Sequence, residues 1–137
     1  MARHVLAIVD GSPAGERALE AAVVRARGAR LTVATVAWVE PPGPCCGSGV
    51  GAWNRIQRDD AHLRLARAGE RVARLGRPDA TLLELEGFED VEVARAAQFL
   101  ECDVVVVPRP RGLGGRSGGP VARRVRRTGP RDVVPVP

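Results

Sequence analysis

At 137 residues and 14.5 kDa, with 45% hydrophobic residues, the chain has the size of one globular domain and can bury roughly two-thirds of the surface that its unfolded form exposes. Its aromatics are Trp38, Trp53, Phe88 and Phe99, too few for recognition by stacked rings, and its three cysteines are odd in number and lack metal-ligand spacing, which argues against a disulfide framework or a zinc site. The net charge of +5 is uneven: residues 104–137 hold 8 Arg and 1 Asp, whereas residues 1–103 hold 13 Arg and 15 acids.

Residues 4–10 (HVLAIVD) form an apolar run that predicts a strand, ending in Asp10-Gly11-Ser12-Pro13. Ser12 suits a helix N-cap and Pro13 the first helical position, so the strand passes directly into a helix. Over residues 13–27 Ala18, Leu19, Ala22, Val23 and Ala26 recur at helical spacing, and Gly28 provides a stop. A second strand, rich in β-branched residues, is predicted at 30–39 (RLTVATVAWV). The following PPGPCCGSGVG carries too much proline and glycine for regular structure.

A second helix is predicted over 54–75, with Leu65, Ala68, Val72 and Leu75 on one face and Gly76-Arg77-Pro78 as its end. The third strand is ATLLELE (80–86), and the third helix runs over 90–100 with Val93, Ala97 and Leu100 at i, i+4 and i+7. DVVVVP (103–108) is apolar enough for a strand buried on both faces. After it come RPRGLGGRSGG, a two-turn helix at 120–127, and a short last strand, DVVPVP, whose Pro135 confines it to an edge or a bulge.

Strands alternating with helices through short connections imply right-handed crossovers and a parallel sheet covered on both faces. The predicted fold is thus a single α/β domain over 1–137, with five parallel strands in the order 3-2-1-4-5 and strand one central. Ligands of such sheets bind at the carboxyl ends of the strands beside the switch point, where Asp10-Gly11-Ser12, the end of strand two and the glycine loop after strand four should meet. No run approaches the roughly 18 apolar residues of a membrane span, and the N-terminus lacks the features of a signal sequence, which predicts a cytosolic protein.

Several features admit two readings. Asp10 either holds a ligand hydroxyl or opens the turn into the first helix as an Asx residue. The run GLGGRSGG, with Gly112, Gly114, Gly115 and Gly119, is either an anion nest with Arg111 and Arg116 as counter-charges or a plain loop, and glycine runs favour the loop. Arg123, Arg124, Arg126 and Arg127 suit a solvated helix face better than a nucleic-acid surface, since no aromatic residues interleave them. Glu89 and Asp90 read as helix-start charges that complement the helix dipole. His4 and His62 are isolated, and no nucleophile triad or carboxylate pair suggests hydrolysis, so no catalytic residue and no metal ligand is assigned.

In order, HVLAIVDGSPAGERALEAAVVRA, RLTVATVAWV, LLELEG with its helix, DVVVVPRPRGLGG and VARRVRR before a last strand resemble the universal stress protein family along nearly the whole chain. The resemblance implies a Rossmann-like sheet, commonly a homodimer through the last strand, and in one branch an ATP site. In that branch the aspartate ending strand one and a valine of strand two lie against adenine and ribose, which maps onto Asp10 and Val36. The phosphates lie in a loop of the form G-x2-G-x9-G-[ST]. Here Arg109 stands where the first glycine belongs, six residues in place of nine separate Gly112 from Gly119, and Pro120 replaces the hydroxyl residue. Both a hydroxyl and a backbone N–H are lost at that last position.

The expected function is therefore a non-catalytic regulatory or interaction module with no required cofactor. The alternatives are an ATP- or AMP-binding sensor with at most slow hydrolysis, and a basic module docking nucleic acid or an acidic partner.

Overall fold

A computed structural model of the chain describes residues 2–41, 49–110, 118–129 and 132–137. Five strands, β1 (His4–Ile8), β2 (Arg30–Ala37), β3 (Thr81–Glu86), β4 (Val104–Pro108) and β5 (Asp132–Val136), form one sheet in the order β3-β2-β1-β4-β5. Every pairing is parallel, as expected from the alternating strands and helices. Between them run α1 (Pro13–Arg25), α2 (Gly49–Arg74), α3 (Glu89–Phe99) and α4 (Pro120–Arg127).

The central strand shows why both faces must be covered, since all five residues of β1 are buried. Val5 and Ala7 point to one face, where they pack with Ala18, Leu19 and Ala22 of α1 and Leu65, Ala68 and Val72 of α2. Leu6 and Ile8 point to the other, against Val93 and Ala97 of α3 and Ala122 and Val125 of α4. The alternation is the period-2 geometry of a strand, and the alanine-rich helix faces allow close approach to the sheet. Burying one such valine or leucine contributes about 1.5–3 kcal/mol.

The first turn of α1 follows the sequence closely. Ser12 is the N-cap, its Oγ accepting from the Gly15 N–H at 3.0 Å, and Pro13 opens the helix. At the opposite end of the sheet the Asp103 carboxylate accepts from the Arg3 and His4 N–H groups at 2.6 and 2.9 Å, which tie β1 to the start of β4 and hold this carboxyl below its ordinary value.

One boundary differs from expectation by more than two residues. The segment PPGPCCGSGVG was read as irregular throughout, yet Gly49–Gly51 form the first turn of α2, which starts five residues before the predicted Asn54. No proline follows Pro44 in that segment, and the first-turn N–H groups of a helix need no intrahelical partner, so glycine costs only its own entropy there. Buried Asn54 fixes this start from the side: its amide donates to the Glu40 carbonyl and its Oδ1 accepts from the Glu40 N–H, both at 2.9 Å. Cys102 is buried in the α3 and α4 side of the core, and Cys45 and Cys46 lie outside the described residues.

Candidate functional site

The two neighbours of β1 are reached through opposite faces of the sheet, so β1 and β4 diverge at their carboxyl ends and leave a crevice. A pocket of about 400 Å³ opens there, lined by Asp10, Glu89, Asp90, Pro108, Pro110, Gly118, Pro120 and Val121. A second pocket of about 290 Å³ lies between α1 and α2. It reaches the turn after β1 through Val9, Gly11 and Ser12, but its α2 arginines are largely engaged, Arg71 with Glu20 and Arg74 with Glu70, and the crevice lies between β1 and β4, where the strand order reverses, so the crevice is the better candidate.

Asp10 lies where the sequence placed it, at the crevice and exposed. Its Oδ1 accepts from the Ser12 N–H at 3.0 Å and from the Ser12 hydroxyl at 2.5 Å. This is the Asx-type turn of the more economical reading, and it leaves Oδ2 without a hydrogen bond among the described residues. The turn also explains Gly15, because a Cβ there would lie 2.6 Å from Asp10 Oδ1.

Val36 is half-buried near the end of β2, and its carbonyl accepts from Arg64 Nη2 at 3.0 Å. Gly119 is buried at the N-cap of α4 with φ of 98°, a conformation in which a side chain is strained, and Pro110 lies against it. Arg111, Gly112, Gly114, Gly115 and Arg116 lie outside the described residues. Arg109, at the position of the missing first glycine, donates its N–H to the Val136 carbonyl at 2.6 Å, and its buried Nε has no partner among the described residues.

Glu89 and Asp90 have a further place besides the helix dipole: they form an acidic wall opposite Asp10. Glu89 reaches solvent at the crevice mouth, while protein surrounds its carboxyl closely enough to raise its pKa. Loss of solvent is the first cause and the Asp10 charge the second. Arg64 pulls the other way, and Asp90 adds a smaller push. Asp90 accepts from Arg124 Nε at 2.8 Å, so one arginine of α4 is occupied within the chain.

The crevice thus presents three carboxylates and three prolines, residues 108, 110 and 120, that have no N–H to offer. An anion finds few convergent donors among them. Among the described residues no group of three or more His, Cys, Asp or Glu is placed to hold a metal ion. Arg64 lines the pocket between α1 and α2, and nothing in the sequence marked it beyond the i, i+4 spacing to Asp60, because its other partners are 28 and 29 residues away.

An open parallel sheet whose order reverses beside its central strand, with a crevice at the carboxyl ends, defines the doubly wound α/β class. The chain belongs to the universal stress protein family, whose model matches residues 1–137. Among solved structures it is similar to the universal stress protein UspA from Lactobacillus plantarum, at 20% identity and a TM-score of 0.81 over 98% of this chain and 97% of that one. It is also similar to a universal stress protein in complex with cAMP, at 23% identity and a TM-score of 0.73 over 99% and 97% of the two chains. A third is the universal stress protein from Archaeoglobus fulgidus in complex with dAMP, at 19% identity and a TM-score of 0.63 over 100% and 98%. At these identities the likeness is one of fold. No curated protein sequence is significantly similar to the chain.

Proposed function

We propose that this chain is a non-catalytic regulatory module of the universal stress protein type, acting through protein contacts in the cytosol, with a crevice unsuited to a nucleoside triphosphate. The observation that carries this reading is the acidic pocket formed by Asp10, Glu89 and Asp90, with prolines where phosphate donors are needed. A triphosphate held there would meet like charge at close range and few N–H donors, and each charge-assisted hydrogen bond it forgoes is worth about 1.5–3 kcal/mol. The shortened loop from Gly112 to Gly119 and the loss of a hydroxyl at Pro120 act in the same direction. Arg111 and Arg116, with Gly114 and Gly115 between them, are the counter-charges that the sequence offers against this, and they lie outside the described residues.

Calorimetric titration with Mg-ATP tests the reading. The expected outcome is binding at least tenfold weaker than in a relative with the intact loop. A dissociation constant in the low micromolar range, abolished by Asp10→Ala, would overturn it.

The relatives solved with cAMP and dAMP favour a second reading, in which Asp10, Val36 and Gly119 border a site for a nucleotide of lower charge, such as AMP. It predicts that AMP binds this chain more tightly than ATP in the same titration, and equal or reversed affinities would sink it. Docking of nucleic acid through α4 is the least supported reading, given the Arg124–Asp90 pair. It requires affinity that falls steeply with salt, and a flat response would exclude it.

A further inference from the structure

On one face of the sheet α1 packs over β1 and β4 and α2 over β2 and β3, so the two helices part and leave the groove between them. Its floor is apolar, formed by buried Val9, Leu19 and Ala68. Gly15 of α1 and Ala68 of α2 line the gap with too little side chain to fill it. Arg64 closes one end. Gly11, at φ of 81°, turns the chain away from β2, and Arg64 Nη2 donates at 3.0 Å to the Val36 carbonyl that a continuing β1 would have paired. Its Nη1 donates to Asp60 Oδ2 at 2.5 Å, and a Cβ on Gly11 would lie 2.9 Å from its Cδ. With only 19% of its side chain exposed, Arg64 is a fixed part of the wall.

Arg67, Arg71 and Arg74 follow at i+3, i+7 and i+10 on the same face of α2, and all three line the groove. Unlike Arg64, they are exposed. Arg71 pairs across the groove with Glu20 of α1, and Arg74 pairs with Glu70 at 3.8 Å, both pairs standing open to solvent. Arg67 makes no ion pair among the described residues, although Glu16 lines the same groove. Exposed pairs add little net stability, because water screens them and two long side chains lose freedom. An incoming carboxylate can therefore replace Glu20 or Glu70 at small cost, and Arg67 is open to one without any displacement.

We infer that this groove docks an acidic helix of a protein partner, with one apolar side chain filling the cavity over Leu19 and Ala68 and its carboxylates on Arg67, Arg71 and Arg74. Spacing selects the form of the partner. Arg67 and Arg74 are seven residues, about 10 Å, apart along α2, a distance that carboxylates one heptad apart on a second helix span and a single small anion does not. Charge selects its chemistry. Glu16, Glu20 and Glu70 repel the continuous phosphates of a nucleic acid, whereas a helix presents separate carboxylates to the arginines, which bind them through paired N–H groups. The inference rests on the reading of this chain as a module acting through protein contacts, and gives that reading a surface on the α1 and α2 face.

Fluorescence anisotropy with the full chain and a labelled peptide at low ionic strength provides the test. The probe is an alanine-based helix of about 18 residues with Glu at i, i+4 and i+7 and Leu at i+3, and a control peptide carries Gln in place of each Glu. The Glu peptide should bind about tenfold or more tightly than the Gln peptide, and Arg67→Glu and Arg71→Glu should each weaken it about tenfold or more. Arg123→Glu, the same charge reversal on α4, should leave it unchanged. Thermal unfolding shows whether Arg71→Glu is folded; if it is not, Arg67→Glu, which breaks no ion pair among the described residues, decides. No measurable binding of the Glu peptide, equal affinity for the two peptides, or affinity unmoved by Arg67→Glu would overturn the inference. An equal loss in Arg123→Glu would also overturn it, by showing attraction to overall charge alone. So would a single-stranded DNA that binds more tightly than the Glu peptide and is lost in Arg67→Glu, which would assign the groove to nucleic acid. Failure of the broader reading is a separate result, tight Mg-ATP binding by the wild-type chain that persists in Arg67→Glu.

Discussion

Asp10 and Glu89 face the same crevice, but their surroundings differ. Asp10 is tied into the turn by Ser12, whereas the Glu89 carboxyl loses solvent and sits near the Asp10 and Asp90 charges, so its pKa is raised in the folded protein. A raised folded value means that the folded state binds more protons than the unfolded one between the ordinary glutamate value of 4.5 and the folded value. Stability contributed by this group is therefore fully present below about 4.5 and falls as pH rises through that window. Glu89→Gln, which has no charge to desolvate, should unfold at a higher denaturant midpoint than wild type at pH 7, with the advantage vanishing near pH 4. Denaturant titrations at both pH values measure this. A variant less stable than wild type at pH 7 would show that the Glu89 charge is compensated in the crevice. His4 acts in the opposite sense. It is buried with its Nδ1–H donating to the Leu100 carbonyl at 3.1 Å, which leaves Nε2 to accept from the Thr32 hydroxyl at 2.8 Å. Burial, the largest cause, holds its pKa below 6.5, so its contribution is lost as pH falls below the unfolded value.

Among the elements, β5 depends on the residues that return from the glycine-rich loop. A Cβ on Gly118, at φ of 76°, would lie 2.5 Å from Cγ of Pro135, and the ring of Pro135 is fixed opposite Val107 of β4. Proline at this position is compatible with the sheet because β5 is an edge strand, as the sequence required. Gly118→Ala combines a strained φ with an overlap against a rigid ring, and should cost about 1–3 kcal/mol of stability. Chemical denaturation would register this as a lower midpoint at unchanged slope. A loss below about 0.5 kcal/mol would mean that the loop return and β5 are not in contact. The crevice and the edge strand thus share a physical border, since Gly118 lines one and packs on the other.

At the level of the whole molecule, the sheet ends in two unlike edges. β3 carries the Arg58–Glu86 ion pair and the Glu84 carboxylate, with His62 of α2 beside it, along its border, and these charges discourage another strand. β5 presents half-buried Val134 and Val136, and Pro135 removes one of the two outward N–H groups of its backbone edge, leaving that of Val133. We therefore expect a symmetric pair of chains joined through β5, relying on valine packing as much as on a ladder. Sedimentation equilibrium should give a dimer for wild type and a shift to monomer of at least tenfold in dissociation constant for Val136→Asp. A dimer unmoved by that change places the interface elsewhere. Among the described residues no helix is long and apolar enough to cross a membrane.

The sequence by itself determined the element order, the parallel topology with β1 at the centre, and the cap at Ser12, because these follow from local periodicity, turn chemistry and the handedness of crossovers. It also placed Asp10 at the carboxyl end of its strand, since a strand's end is visible in one dimension, whereas Val36 was singled out only through the family resemblance. What only the tertiary structure decided is which charges share the crevice. Glu89 read as a helix-start acid and Arg64 was not singled out, because desolvation and the capture of an orphaned carbonyl arise between residues far apart in sequence. The Val36 carbonyl lies 28 residues from Arg64, and only the turn of β1 away from β2 at Gly11 leaves it open to be filled.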